Sequence, residues 1–325
     1  MKKYIAILLA AAMATLGISA CRKENSNKET KVQKDSDIKV VTTIFPEYDW
    51  VRQIAGEEAD QMDITMLLDN GVDLHSYQPT AEDIMKVSDC DLFVYVGGES
   101  DAWVDDALKQ AKNKDMQVVD LLDVLGNSAK EEEVIEGMEP EEEEEEPEYD
   151  EHVWLSVKNA EVLSKAIADA LEKVDPDHKD IYQENASAYS EKLKDLDVKY
   201  QEVVDGASQK TLLFGDRFPF RYLVDDYGLS YYAAFVGCSA ESEASFDTIS
   251  FLANKVDELG LKDIMAIENS NQKIAKTIIE NTKEKNQKIL TLDSMQSTTS
   301  DDVKNGTTYL SVMEKNLEVL KEALQ

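Results

Sequence analysis

The sequence is poor in histidine, cysteine, proline and positive charge. Its 325 residues carry 34 lysines and arginines against 67 aspartates and glutamates, a formal net charge of −33. An imbalance of that sign argues against a nucleic acid or an anionic membrane surface as partner, and it is compatible with cations. No HExxH stretch occurs, and a metallohydrolase would also need an open coordination position and a general base, so hydrolytic metal chemistry is disfavoured. After the first twenty residues no apolar run is long enough to span a bilayer. Three cysteines occur, Cys21, Cys90 and Cys238. The last two lie far apart and read as buried free thiols, with a disulfide outside the cell as the alternative.

Histidine occurs three times. His178, in DPDHKDIY, is flanked by acids and lysines at a helix start and reads as surface. His75 lies in DNGVDLHSYQPTAED, residues 69–83, between Gly71 and Pro79. Thr80 and Asp83 three residues on form a capping pair that fixes where the next helix begins. His152 follows a long acidic tract. With imidazole so scarce, two histidines in loops at lobe-like intervals point to a metal site more than to catalysis.

At the N-terminus, Lys2 and Lys3 precede a short apolar run, residues 4–16, too short for a membrane span and flanked like a signal peptide. Ile18-Ser19-Ala20 before Cys21 resembles the lipobox of bacterial lipoproteins, in which that cysteine is lipid-modified and becomes the new N-terminus. The alternative is a plain secretory signal. Residues 22–37 are polar and lysine-rich, as a tether behind such an anchor would be. Removing residues 1–20 takes away two lysines and moves the charge from −33 to −35. About 290 residues follow the tether, enough for two lobes.

Residues 40–45 are apolar and β-branched without alternation, which predicts a strand buried on both faces. Pro46 and the apolar positions of 50–54 open a helix that Gly56 closes. Strands are predicted at 62–68, 92–96 and 117–121, with helices at 81–87 and 102–111 between them. This rhythm predicts a parallel sheet covered on both sides, with ligands beyond the carboxyl ends of its strands, where the His75 loop falls. Residues 131–151 hold fourteen acids, two prolines and no basic residue. Self-repulsion predicts an extended, disordered insertion. Because it runs into Asp150-Glu151-His152, gathering cations near the site is its candidate role. Helices at 157–174 and 182–204 follow, the second long enough to be a rigid spine. The rhythm then restarts with strands at 212–214, 231–235, 263–267 and 288–292, and helices at 218–226, 246–259, 273–282 and 308–324.

TTIFPEYDWVRQIAG, MLLDNGVDLHSYQPTAEDI, DLFVYVGG with Trp103 behind it, EHVWLSVKNA and YLSVMEKNLEVLKEAL together resemble the metal-binding solute receptors of bacterial zinc/manganese ABC importers, the cluster A-I lipoproteins. The likeness runs from about Ile38 to the C-terminus. It implies an α/β fold of two lobes, each a mainly parallel four-stranded sheet flanked by helices, bridged by one long helix with the metal in the cleft. The corresponding division is signal peptide 1–20, lipidated tether 21–37, N-terminal lobe 38–175, linking helix 176–208 and C-terminal lobe 209–325. Members often carry a histidine-rich loop before the second ligand; here that loop is acidic.

Carried over by position, the resemblance implies His75 and His152 as the first two ligands. The usual third position, five residues before the tyrosine of GDRFPFRYLVDDYGL, is Arg217. A guanidinium offers no lone pair to a metal, so the adjacent Asp216 is taken as third candidate and Arg217 is expected to be paired or turned away. Asp293 in TLDSMQS is the fourth, at the position that is aspartate in manganese-type members, while Gln296 sits where some zinc members have glutamate. Glu268 is a supporting or substitute ligand. Cys238, Glu241 and Glu243 in GCSAESEAS are weaker alternatives that read first as loop residues and a packed thiol. In such a set the two imidazoles suit Zn²⁺, the expected ion, whereas the two carboxylates shift it toward Mn²⁺ or Fe²⁺, the alternative.

The expectation is a non-enzymatic, monomeric lipoprotein anchored through Cys21 to the outer face of the cell membrane. It would pass its ion to an ABC permease whose ATPase is a separate subunit, since no GxxxxGK[ST] stretch is present. An adhesin using the acidic tract as a polyanionic surface is the reading from another class.

Overall fold

A computed structural model describes residues 38–138, 148–239 and 243–325. Cys21, the signal and the tether lie outside the described residues. The first sheet comprises β1 (Ile38–Thr42), β2 (Met62–Met66), β3 (Leu92–Tyr95) and β4 (Gln117–Asp120), all parallel in the order β2-β1-β3-β4. The second comprises β5 (Thr211–Phe218), β6 (Ser230–Val236), β7 (Asp263–Ile267) and β8 (Lys288–Leu292), all parallel in the order β6-β5-β7-β8. The two-lobed α/β architecture is therefore as expected.

The first strand is shorter at its end than predicted. Phe45 opens α1 (Phe45–Ala55) because Glu47 turns back on the chain, its Oε2 accepting from the amides of Thr43 and Ile44 at 2.8 and 3.2 Å. That satisfies the free donors of a helix start. Helices α2 (Ala81–Asp89), α3 (Val104–Lys109), α4 (Leu121–Leu125) and α5 (Val157–Val174) complete the first lobe. The Thr80–Asp83 capping pair opens α2 as predicted, each side chain accepting from the other residue's amide.

Helix α6 (Lys179–Asp205) is 27 residues long, roughly 40 Å at 1.5 Å per residue. Tyr182, Tyr189, Leu193, Leu196, Tyr200 and Val204 form its buried stripe. The second lobe adds α7 (Arg221–Tyr227), α8 (Phe246–Leu259), α9 (Lys273–Asn281), α10 (Ser300–Lys304) and α11 (Tyr309–Ala323). Helix α11 follows the last strand yet packs back on α6 and α1. The amide of Tyr309 donates to Asp49 of α1 (3.0 Å), and Tyr200 donates its hydroxyl to the Met313 carbonyl (2.6 Å). One hydrophobic core runs through both lobes, and a second, smaller one fills the far face of the second sheet around Leu252 and Ile264.

Two further expectations are corrected. Strand β5 extends four residues past the predicted 212–214, with a register shift between Phe214 and Arg217. Gly215 permits it, because a Cβ there would lie 2.5 Å from the Cα of Ala275. The acidic tract is ordered where it is described. Glu131 and Tyr149 form an antiparallel bridge, and the amides of Glu132 and Asp150 donate to the Glu148 and Lys130 carbonyls, both at 2.8 Å. Ile135 and Met138 join the core, so the tract holds more apolar anchorage than its charge implies. Residues 139–147 lie outside the described residues. Among the described residues no helix is long and apolar enough to cross a membrane.

Candidate metal centre

His75 sits on the single-turn helix Leu74–Ser76 beyond the carboxyl end of β2. Asp73 caps that turn, its Oδ1 accepting from the His75 amide at 3.0 Å, and buried Leu74 anchors it. His152 begins the turn Val153–Leu155 at the close of the acidic tract and is wholly buried. Tyr222 of α7 pins both ends of the tract, its hydroxyl accepting from the Lys130 amide and donating to the Asp150 carbonyl, each at 2.9 Å.

The two imidazoles face each other with Nε2 atoms 3.1 Å apart. Their outer nitrogens are held by acids. His75 Nδ1 lies 2.9 Å from Ser100 Oγ and 3.3 Å from Glu151 Oε2, and His152 Nδ1 lies 2.9 Å from Asp150 Oδ1. A carboxylate on the outer nitrogen fixes the tautomer so that the Nε2 lone pair points inward, and it raises the ring's strength as a ligand. Glu151 is fixed in turn by the Ser100 amide, which donates to Oε1 at 2.8 Å.

Charge dominates over burial here. Burial alone would lower the His75 pKa, but the hydrogen bond its ring donates to Glu151 and the charges of Asp73 and Glu151 raise it above its ordinary value. Burial would raise the Glu151 carboxyl, yet the His75 hydrogen bond and charge, with Ser100, hold it low. Asp73 is likewise held low against burial by the charge of Arg217. Around Cys238, burial of the sulfur pushes the thiol well up, and Glu132 and Asp150 push it further.

The expected residues do not all converge. Among the described residues, the donor atoms of His75, His152 and Cys238 lie within 4.8 Å of one another; Asp216, Asp293, Glu268 and Glu243 are outside that group, and Glu241 is outside the described residues. Asp216 Oδ1 accepts from the Arg217 amide at 3.0 Å, while its buried Oδ2 has no partner. Glu268 lies under the loop after β8, where its oxygens accept from the Ser294 amide and hydroxyl and the Gln296 amide. Burial, reinforced by the charge of Asp293, pushes its carboxyl up to about 7. Asp293 accepts from the Met295 amide at 2.8 Å in a local turn. Asp216 and Glu268 line a cavity of about 320 Å³ beside Asp73, Arg217, Asn271 and Gln296.

Arg217 is paired: Nη2 donates to Asp73 Oδ2 at 2.5 Å and Nη1 to the Ser239 carbonyl at 3.3 Å. Gln296 is buried with Nε2 3.4 Å from His152 Nε2. Cys90 and Cys238 are both free, and Cys90 is packed under α2 with its sulfur against the Val87 carbonyl. His178 is partly exposed and bonded to Asp175 (2.7 Å), as a surface residue would be. The proximity of Cys238 was muted in the sequence. Its one signal was a scarce cysteine directly after a strand end.

The family model for ZnuA, described as zinc-uptake complex component A periplasmic, matches residues 40–323. The zinc-binding lipoprotein AdcA of Streptococcus pneumoniae is 35% identical over 324 residues, covering 98% of this chain and 61% of that protein. This chain thus spans about three-fifths of the AdcA length. The high-affinity zinc uptake system protein ZnuA of Bacillus subtilis is 31% identical over 330 residues, covering 99% and 98%. The solved Zn(II)-bound ZnuA-like domain of S. pneumoniae AdcA superposes with a TM-score of 0.69 at 32% identity, covering 89% of this chain and 99% of that one.

Proposed function

The chain belongs to the ZnuA family of zinc-uptake components, and on that premise we propose that it captures Zn²⁺ outside the cytoplasm and delivers it to an ABC permease. It acts as a binding protein, not an enzyme, and works as a monomer. Its lipid anchor is Cys21 and its ATPase a separate subunit. The observation that carries this is the pair of imidazoles with inward Nε2 atoms 3.1 Å apart, each backed by a carboxylate. Two neutral imidazoles so oriented are a strong ligand pair for a borderline cation and a poor design for proton transfer.

His75 and His152 hold the ion directly. Asp216 and Glu268 line the adjoining cavity. The zinc-binding names of the relatives favour Zn²⁺ over Mn²⁺ or Fe²⁺ as cargo.

The test is metal content and competitive affinity of the full-length chain for Zn²⁺ and Mn²⁺. One tight equivalent of zinc is expected, lost in both His75→Ala and His152→Ala. Tight zinc that survives both substitutions would place the site elsewhere and refute the assignment.

A further inference from the structure

Arg217 occupies the position that the resemblance assigns to a third ligand, and its guanidinium does something else there. One nitrogen holds Asp73, which caps the turn bearing His75, and the other holds the carbonyl of Ser239, next to Cys238. The arginine thus ties the loop of one lobe to the loop of the other. Strand β6 ends at Val236, and Gly237 then passes so near His152 that a Cβ there would lie 2.9 Å from Cε1. That close approach, which only glycine allows, delivers Cys238 to the histidine pair. Its amide is fixed by Glu132 Oε1 at 3.1 Å, a residue of the acidic tract.

A second observation comes from the opposite side. Gln296 is 6% exposed, its amide nitrogen is 3.4 Å from His152 Nε2, and its Oε1 is buried without a partner. A buried amide oxygen without a partner is costly in a closed core. With the amide flipped, its oxygen would face His152 Nε2 and an ion held beside the histidines.

We propose that Cys238 is the third donor, as a thiolate, making a His75–His152–Cys238 centre selective for thiophilic divalent cations. The inference rests on the metal-receptor reading above and gives that site a sulfur in place of a carboxylate or a third imidazole. On binding, the S–H bond of Cys238 is replaced by a sulfur–metal bond and one proton leaves to solvent, with no change of oxidation state. Thiolate with two imidazoles suits Zn²⁺ and excludes Mn²⁺, which prefers oxygen. Arg217 is a positioning residue: it holds the His75 and Cys238 loops together.

The test uses Co²⁺ as a spectroscopic stand-in in the full-length chain, under reducing conditions. One equivalent should bind with an intense sulfur-to-cobalt charge-transfer band in the near ultraviolet. Cys238→Ser should abolish that band and weaken Zn²⁺ by more than about tenfold, the least expected of a ligand when outer-shell partners alone cost that much. Cys21→Ser and Cys90→Ser should leave the band intact, and Mn²⁺ at equal concentration should fail to displace cobalt. Stoichiometric cobalt that His152→Ala abolishes, with no charge-transfer band in the parent, would overturn the cysteine assignment while leaving the receptor intact. No stoichiometric metal in the parent would overturn the receptor reading and this inference with it. The decisive spectrum is recorded on the parent chain, so a variant that fails to fold cannot imitate a negative result.

Discussion

Replacing Glu151 by glutamine removes one charge from a site whose affinity depends on it. Glu151 is 2% exposed, its Oε1 is held by the Ser100 amide, and its Oε2 lies 3.3 Å from His75 Nδ1. Glutamine keeps the shape and can still accept from Ser100. It then turns an NH₂ toward the imidazole nitrogen, so the two donors conflict and His75 loses its anionic support. Loss of such a partner costs about 10–100-fold in metal affinity, or roughly 1.4–2.7 kcal/mol. The pH dependence sharpens this. Glu151 is among the causes that raise the His75 pKa, so the parent must shed a proton to bind metal below that raised value. In Glu151→Gln the pKa falls and proton competition begins at lower pH. The affinity gap should therefore be widest at pH 8 and narrow as pH falls toward 6. The same pair stabilises the metal-free fold most between about pH 4.5 and 6.5, the two ordinary values, and that contribution is lost as pH rises through the raised His75 value or falls through the lowered Glu151 value. Competition against a chromophoric chelator from pH 6 to 8, beside urea unfolding of the metal-free chain, reads both quantities. A zinc affinity within twofold of the parent at pH 8 would refute the support role.

Three further outcomes are expected. Gly98→Ala should lose about 1–3 kcal/mol and weaken zinc binding, because φ is +81° and the new Cβ would lie 2.4 Å from Glu151 Oε1; unchanged unfolding and affinity would contradict the contact. Tyr200→Phe should cost about 0.5–1.5 kcal/mol in urea unfolding, since it removes the buried hydroxyl's bond to the Met313 carbonyl between α6 and α11, and it should leave metal affinity alone. Burial raises the Asp49 carboxyl to about 6 despite bonds from Tyr309 and Gln53. The folded state then holds its proton longer than the unfolded state, so parent stability falls as pH rises from about 4 through 6. Asp49→Asn, which cannot ionise, should gain on the parent by up to about 3 kcal/mol between pH 4.5 and 7.5; a flat difference across that range would count against burial as the cause.

The fold was legible because its signals are local and repeated. Residues 263–267 and 288–292 alternate with helix patterns, and α5 and α8 have the bounds 157–174 and 246–259 that their apolar patterns predict. The meeting of His75 and His152 was legible because histidine is rare in this chain and both lie in loops. What escaped was set by neighbours distant in sequence. Strand β5 runs through Gly215, Asp216 and Arg217 because β6 pairs with it and Ala275 packs on the glycine, and none of this is written in those three residues. The tract from Glu131 looked featureless by charge, yet its ends pair with each other and Tyr222 pins them from 72 residues beyond Asp150. Cys238 shows the same limit most sharply. Position alone pointed to Arg217 and its neighbour Asp216, whereas the arginine's bonds to Asp73 and Ser239 bring a different residue to the histidines. The donor atoms of His75, His152 and Cys238 meet in space from three loops far apart in the chain, so a reading by register alone does not bring the third of them into view.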